Sequence, residues 1–495
     1  MTTLRYAAGS LSIVVAVVAL FAFDVFRELF LFLSPDHSVT SFMWQLMQIC
    51  LISLGEVGAV VLLSRWLLRL AGRLDRYLVT SDKTRLLWQW LLVAFALRTF
   101  AVVVLPFNLW QDFQCYDELG WQWATDGGYY NGAHLTAYWP PGYPFWLSRI
   151  YLVFGHVPVI GAIANIFLGT ATVLLSYLLV RCLWGERIGR WSLLILALFP
   201  SQVLFANVLA SEMLFTPLFL LALLLFVAGS RIRHWWAVVC LGGLFLGLAT
   251  LTRTISAPFL CIVALYWFLE SRSWRFAAAR TVLGLAGFAL VVTPWIIRNH
   301  HAVGRACLST NTGINLFIGN QPSSGMGYNH HAALQFDLWD PSKEAYVDSA
   351  ASAQAWDYIR EKPFAFLGRG VIKVMFFYAV DVDPLDYQLF RVAESGSGVG
   401  WLGLAVLTES WYLIVLLLAA LALPVVIRSR IHRNASTALV LLTVGYWTAV
   451  HFVFFSIGRF HFPIIPILAA LAAVALAYCI DTDETASASH TTGTN

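Results

Sequence analysis

The chain has 495 residues, of which 59% are hydrophobic and only 12% charged, with a net charge of +4 and a mean hydropathy of +0.73. Soluble globular proteins carry about 25% charged residues, so this composition excludes a soluble enzyme or a nucleic-acid-binding module and points to lipid as the solvent. The seven cysteines have no metal-ligand spacing, and most fall in or beside apolar runs, where they read as small packing residues.

The apolar residues come in runs of roughly 17 to 25, enough to cross about 30 Å of hydrocarbon as helix. Taken in chain order, crossings are expected near residues 8–33, 42–68, 86–106, 158–181, 190–206, 212–229, 235–252, 255–270, 279–297, 401–427, 436–456 and 462–480. The fold class expected is therefore an all-α polytopic membrane protein of about 12 transmembrane helices. The first run is too long for a cleavable signal peptide, and Asp24, Arg27 and Glu28 stand where small residues would be needed.

Basic residues mark alternate connections. Arg65, Arg69, Arg73, Arg76, Lys83 and Arg85 lie between the second and third runs, followed by Arg181, Arg187 and Arg190, by Arg231 and Arg233, by Arg272, Arg275 and Arg280, and by Arg428, Arg430 and Arg433. The intervening loops 34–41, 107–142 and 204–211 contain neither Lys nor Arg. The positive-inside rule then makes the basic connections cytoplasmic, puts both termini inside and leaves two larger hydrophilic segments outside, 107–142 and 298–398. Residues 481–495 are small, polar and acidic and read as a disordered tail. Cys115 and Cys307 fall in the two outer segments, which leaves room for a disulfide between them.

The loop 107–142 is the most informative stretch. It carries Asp112, Asp117, Glu118 and Asp126 with no basic residue to neutralise them, among many Trp and Tyr. Such aromatics suit a membrane-interface belt, but aromatic faces also pack on sugars, and a carboxylate beside a hydroxyl can act as a general base. The spacing in DFQCYDELGWQW predicts a short surface helix starting at Asp112 with Tyr116 one turn on. WPPGYP at 139–144 reads as the end of the loop. In the second segment, SKEAYVDSAASAQAWDYIREKP predicts a helix, and FAFLGRGVIKVMFFYAV is expected to lie along the outer leaflet, because a crossing there would break the topology. His330 and His331 sit in a Gly- and Asn-rich stretch and read as solvated.

Taken in order, Asp112-x-x-x-Tyr116, Gly127-Gly128, PPGYP at 140–144 with Tyr143, VLASEMLF around Glu212, TPWIIRNHHAVG around Arg298 and Asn299, NTGINLFIGNQP at 311–322 and IGRFHFPIIPIL around Arg459 and His461 resemble the GT-C glycosyltransferases. The nearest branch is the glycosyltransferase 39-like group, which includes protein O-mannosyltransferases and lipid A aminoarabinose transferases. The resemblance covers most of residues 86–480. It divides the chain into two added N-terminal helices (1–80), a core (81–297), an outer region with juxtamembrane helices (298–398), C-terminal helices (399–480) and the tail (481–495).

The resemblance implies a multi-pass cell-membrane enzyme with an extracytoplasmic site. It would transfer a hexose or pentose from a polyprenyl-phosphate donor to a glycan, lipid or protein acceptor by a single inverting displacement. Asp112 is the expected base, with Asp117 and Glu118 as alternatives or as ligands of a divalent cation, Mg or Mn, bridging the phosphate. Tyr116, Tyr143, Glu212, Arg253, Arg298, Asn299, Arg459 and His461 are the expected substrate-binding residues, the arginines suiting phosphate through their planar fork. The alternative is a lipid or polysaccharide transporter or flippase. Against it, most charges sit near helix ends, whereas transporters place ionisable groups at the midplane.

Overall fold

The computed structural model describes residues 54–55, 58–59, 62–131, 134–229, 232–322, 343–389, 398–428 and 434–492. Among these residues nine helices are long and apolar enough to cross a membrane, or ten if a pair bent by 60° counts as one span. The chain is thus an all-α polytopic membrane protein. The expected run at 8–33 lies outside the described residues, and that at 42–68 is described only towards its end. The other ten expected runs each coincide with a candidate span.

In order, α1 (Ser64–Thr80) and α2 (Lys83–Val104) meet at a tight turn where the Asp82 side chain accepts the Arg85 N–H. Then come α3 (Asp112–Asp126), a hairpin of β1 (Tyr130–Asn131) and β2 (His134–Leu135), and α4 (Gly142–Phe154). The antiparallel hairpin pairs Tyr130 with Leu135. Helix α5 (Pro158–Trp184) is followed by the bent pair α6 (Glu186–Ala197) and α7 (Pro200–Leu204), broken before Pro200, which cannot donate to the preceding turn. Next are α8 (Ser211–Gly229), α9 (Trp235–Thr252), α10 (Phe259–Ser271) and α11 (Trp274–Val303).

The second hydrophilic segment supplies α12 (Thr312–Gly319), α13 (Glu344–Glu361), α14 (Pro363–Phe377) and α15 (Asp383–Leu389). Helices α16 (Gly398–Arg428) and α17 (Ala435–Val453), a 3-10 segment Gly458–Ile464 and α18 (Ile465–Thr492) complete the chain.

Helices α8 and α18 are the most enclosed spans. The alanine-rich start of α18 lets α16 and α6 pack closely against it, since small side chains permit short interhelical distances. The same device operates where α9 crosses α11. A Cβ on Gly243 would lie 1.9 Å from Gly284 O, and one on Gly287 1.9 Å from Cys240 O.

One sequence expectation is corrected and two open readings are filled in. WPPGYP does not simply close the loop; it opens α4, because prolines are tolerated in a first turn whose N–H groups have no helical partner. The backbone of α18 continues to Thr492 instead of giving way to an unstructured tail. Cys115 and Cys307 are both free thiols. The rule that charges sit at helix ends also has exceptions: Arg98 in α2 and Glu409 in α16 are fully buried within spans. Arg98 donates to Ala94 O at 3.0 Å and lies in the space left by Gly169, where a Cβ would be 2.6 Å from its Nε.

The ends of the bundle differ. At one, Arg187 pairs with Asp75, Arg190 with Glu186, and Lys83 with Glu186. The other carries α3, α4, α12 and α13. Helix α14 is not among the candidate spans; it buries Gly370, Lys373 and Phe377 while Phe364, Leu367, Val371 and Met375 are exposed.

The α9–α11 crossing leads to a stability prediction. Gly287→Ala should destabilise the protein by about 2 kcal/mol through overpacking against backbone, whereas Gly403→Ala, which meets nothing within 4 Å, should not. Thermal unfolding in detergent measures both.

Candidate functional site

Helix α3 starts at Asp112 because the preceding Gln111 adopts φ +48°, a backbone conformation costly for a non-glycine residue and typical of constrained sites. This turn aims the first residue of α3 across the end of the bundle. Asp112 Oδ2 pairs there with Arg459 Nη2 of the 3-10 segment. Behind Arg459 lies Glu212, in the first turn of α8 and only 1% exposed. Its Oε1 is 2.6 Å from Arg253 Nη1 and 3.8 Å from Arg459 Nε. Arg253, just past the end of α9, also donates to Ser211 Oγ at 3.1 Å. Four elements distant in sequence thus bring together two carboxylates and two guanidinium groups whose formal charges cancel.

Aromatic rings fix this quartet. Phe460 lies between the two arginines, its centroid 5.3 Å from the Arg253 guanidinium carbon and 5.7 Å from that of Arg459; the ring's negative face favours both cations. Phe113 is 5.4 Å from Arg459. Tyr116, one turn after Asp112, is buried edge-to-face against Tyr143 at 5.7 Å. Burial, then the negative charges of Asp112 and Glu212, hold the Tyr116 phenol well above its ordinary range, so it remains a neutral donor. Tyr143 is fully buried beneath it and donates to Asn165 Oδ1 at 3.4 Å. Within the quartet Asp112 is the accessible acid, its side chain 37% exposed against 1% for Glu212.

The other expected site residues go elsewhere. Asp117 is buried on a different face of α3, where it accepts the Tyr151 hydroxyl and faces His156 Nε2 at 2.9 Å; Trp121 stacks on that imidazole at 5.0 Å. Glu118 is exposed and accepts from Gln114 at 2.8 Å. The two acids do not converge, and no group of three His, Cys, Asp or Glu among the described residues is placed to hold a metal ion. Asp117 and Glu118 thus stand in different surroundings, one buried and one exposed.

Arg298 braces the hairpin instead of the quartet, donating to Thr136 O and, at 2.9 Å, to Tyr129 O. Asn299 donates to Cys307 O at 2.9 Å. Glu344 of α13 supports the same hairpin, accepting Thr136 Oγ1 at 2.7 Å and the Ala137 N–H at 2.6 Å. His461 is fully buried; its Nδ1 lies 2.7 Å from Phe377 O and its Nε2 3.1 Å from Asp381 Oδ1, so it faces away from the arginines. His330 and His331 lie outside the described residues.

Sequence reasoning missed Asp381 and Asp383. Asp383 Oδ2 accepts the Arg459 N–H. The signal available was the acidic alternation DVD at 381–383, directly after an apolar run.

Fold and site together define a polytopic all-α membrane protein with a charge-balanced Asp-Glu-Arg-Arg cluster at the end of its bundle that carries both hydrophilic segments. A family profile described as dolichyl-phosphate-mannose-protein mannosyltransferase matches residues 139–297, a stretch that contains Glu212 and Arg253. No curated protein matches in sequence. Among solved structures, an Archaeoglobus fulgidus oligosaccharyltransferase in complex with Zn and sulfate is similar at 15% identity and a TM-score of 0.48, over 79% of this chain and 49% of that one. The archaeal oligosaccharyltransferase AglB of the same organism, in complex with an inhibitory peptide and a dolichol-phosphate, is similar at 13% identity and 0.47, over 80% and 50%. ArnT from Cupriavidus metallidurans bound to undecaprenyl phosphate is similar at 14% and 0.41, over 80% and 78%. The chain spans about half the length of the two archaeal proteins.

Burial pushes the Asp383 carboxyl up to about 6, from an ordinary 3.8, against the opposing pull of the Arg459 N–H and the charges of His461 and Arg459. A carboxyl raised in the folded state contributes stability that is fully present below 3.8 and lost as pH rises through about 6. Wild type should therefore gain stability relative to Asp383→Asn as pH falls from about 7 to 4. Paired unfolding curves across that range give the sign directly.

Proposed function

We propose that the protein is a GT-C-type membrane glycosyltransferase that moves a sugar from a polyprenyl-phosphate donor to an acceptor hydroxyl on the extracytoplasmic side. The observation that carries this reading is the quartet Asp112, Glu212, Arg253 and Arg459. It offers two guanidinium groups at one end of an apolar bundle, where a lipid phosphate would lie, beside one accessible carboxylate. The family profile over 139–297 supports it. The positive-inside rule supports this side, because Lys83, Arg187 and Arg190 gather at the opposite end. On this topology the exposed apolar face of α14 rests in the outer leaflet.

In the resting state Asp112 and Arg459 neutralise each other. A donor phosphate gives Arg459 and Arg253 an anion suited to their planar forks, and as Arg459 turns to it, Asp112 is left free to act as a base. The acceptor oxygen attacks the anomeric carbon while Asp112 takes its proton. The bond from that carbon to the phosphate oxygen breaks, its electron pair leaves with the lipid phosphate, and the anomeric configuration inverts. Negative charge grows on the phosphate as this bond breaks, so the arginines interact more strongly with the transition state than with the bound donor, which is the condition for acceleration. Glu212 holds the Arg253 guanidinium in place throughout, and Tyr116 remains a neutral donor beside the arginines.

Sugar transfer by the purified protein in nanodiscs, with a panel of polyprenyl-phosphate sugars, tests the reading. Asp112→Asn should lower kcat about 1,000-fold, Arg253→Gln should lower kcat/KM for the donor, and Glu118→Gln should leave transfer within about twofold of wild type. Undiminished transfer by Asp112→Asn would remove the base assignment. Movement of intact lipid across the membrane without bond cleavage would favour a transporter.

A further inference from the structure

The connection from α14 to α15 carries charged groups for which the transfer step has no use, and they converge on the backbone around Arg459. Asp383, the first residue of α15, accepts the Arg459 N–H. The preceding Gly458 presses on the same connection: a Cβ there would lie 2.6 Å from Val380 O and 3.1 Å from Asp383 Oδ1. On the far side of Arg459, His461 contacts Phe377 O and Asp381 Oδ1, and the Asp381 N–H is held by Glu409 Oε2 at 3.0 Å. Residues 458 to 461 are thus gripped on both sides of Arg459.

One turn beyond Asp383, at i+4 and so on the same helix face, Tyr387 reaches the other half of the ion pair. Its ring meets Phe113, the neighbour of Asp112, edge-to-face at 4.9 Å, and its centroid is 5.9 Å from the Arg459 guanidinium carbon. Both partners of the Arg459–Asp112 pair stand at the edge of their own elements. Arg459 projects from a 3-10 segment, whose internal hydrogen bonds are poorer than those of an α-helix. Asp112 follows Gln111 at positive φ.

We infer that α15 is a clip that sets the alignment of Arg459 with Asp112, and that Asp383 and Tyr387 are positioning residues for glycosyl transfer. Asp383 fixes the backbone from which Arg459 projects, and Tyr387 fixes the first turn of α3. The kinetic part of this inference rests on the transferase reading, whereas the clip itself is a property of the unliganded protein. A displacement of about 1 Å at a reacting group costs on the order of 100-fold in rate, so a helix of two turns that touches no substrate can govern turnover.

The test uses the full-length protein in nanodiscs and begins without ligand, with Asp383→Ala, Asp383→Asn, Tyr387→Leu, Tyr387→Phe and Arg459→Gln. Amide hydrogen exchange at Arg459 should accelerate about tenfold or more in Asp383→Ala. It should stay near wild type in Asp383→Asn, whose amide oxygen still accepts the N–H. Unchanged exchange in α9 and α11 reports intact folding. In transfer assays, Asp383→Ala and Tyr387→Leu should lower kcat roughly ten- to 100-fold with little change in donor KM, while Asp383→Asn and Tyr387→Phe retain activity. Asp383→Ala should add no further loss in an Arg459→Gln background.

Unaltered exchange at Arg459 in Asp383→Ala would overturn the clip, as would an equal loss of kcat in the wild-type and Arg459→Gln backgrounds. Accelerated exchange in a protein that transfers no sugar even as wild type would uphold the clip and overturn the transferase reading instead.

Discussion

The site depends on one buried carboxylate. Glu212 is almost wholly removed from water, in the first turn of one of the two most enclosed spans. An ionised acid left alone there would cost several kcal/mol, and the cost is offset only where cations and hydrogen bonds meet it with good geometry. Arg253 supplies the close contact and Arg459 the longer one. The end of α9 and the 3-10 segment before α18 therefore have to converge on the start of α8. Once they do, the outer side of Arg459 needs an anion, and Asp112 at the start of α3 provides it. The resulting balance of charge lets the cluster sit beside hydrocarbon and still exchange one partner for a phosphate.

Most of the helical architecture is legible in the sequence because a crossing needs about twenty apolar residues, and such runs have few other readings. Asp112, Glu212, Arg253 and Arg459 are legible individually, since each stands at or beside the end of an apolar run. Their meeting is not, because it depends on how helices cross.

The residues that lie away from the quartet do so for physical reasons. Asp117 lies five residues after Asp112, and at 100° per residue the two point to different sides of α3. Only tertiary packing shows that the side of Asp117 meets Tyr151 and His156. Arg298 resembles Arg253 in position, but its partners are carbonyls of a hairpin too short to announce itself. The acidic tail reads as disordered by composition, yet it follows a buried helix and meets no glycine or proline before Gly493.

The second hydrophilic segment has two separate duties in this account. Its first half, through α13, supports the hairpin of the first loop by way of Glu344. Burial holds that carboxyl above its ordinary range, and hydrogen bonds from Ala137 and Thr136 pull the other way. Its second half, through α14 and α15, grips the segment that carries Arg459. Both join parts of the chain remote in sequence, which is how two hydrophilic segments on a membrane bundle come to build one site.

The most direct measurement is the position of a polyprenyl phosphate bound to the protein. A cryo-electron microscopy map in nanodiscs with undecaprenyl phosphate should place the phosphate within hydrogen-bond distance of Arg253 and Arg459, with Asp112 released from Arg459 and Glu212 still in contact with Arg253. Phosphate density at the opposite end of the bundle, among Arg187 and Arg190, would contradict the account.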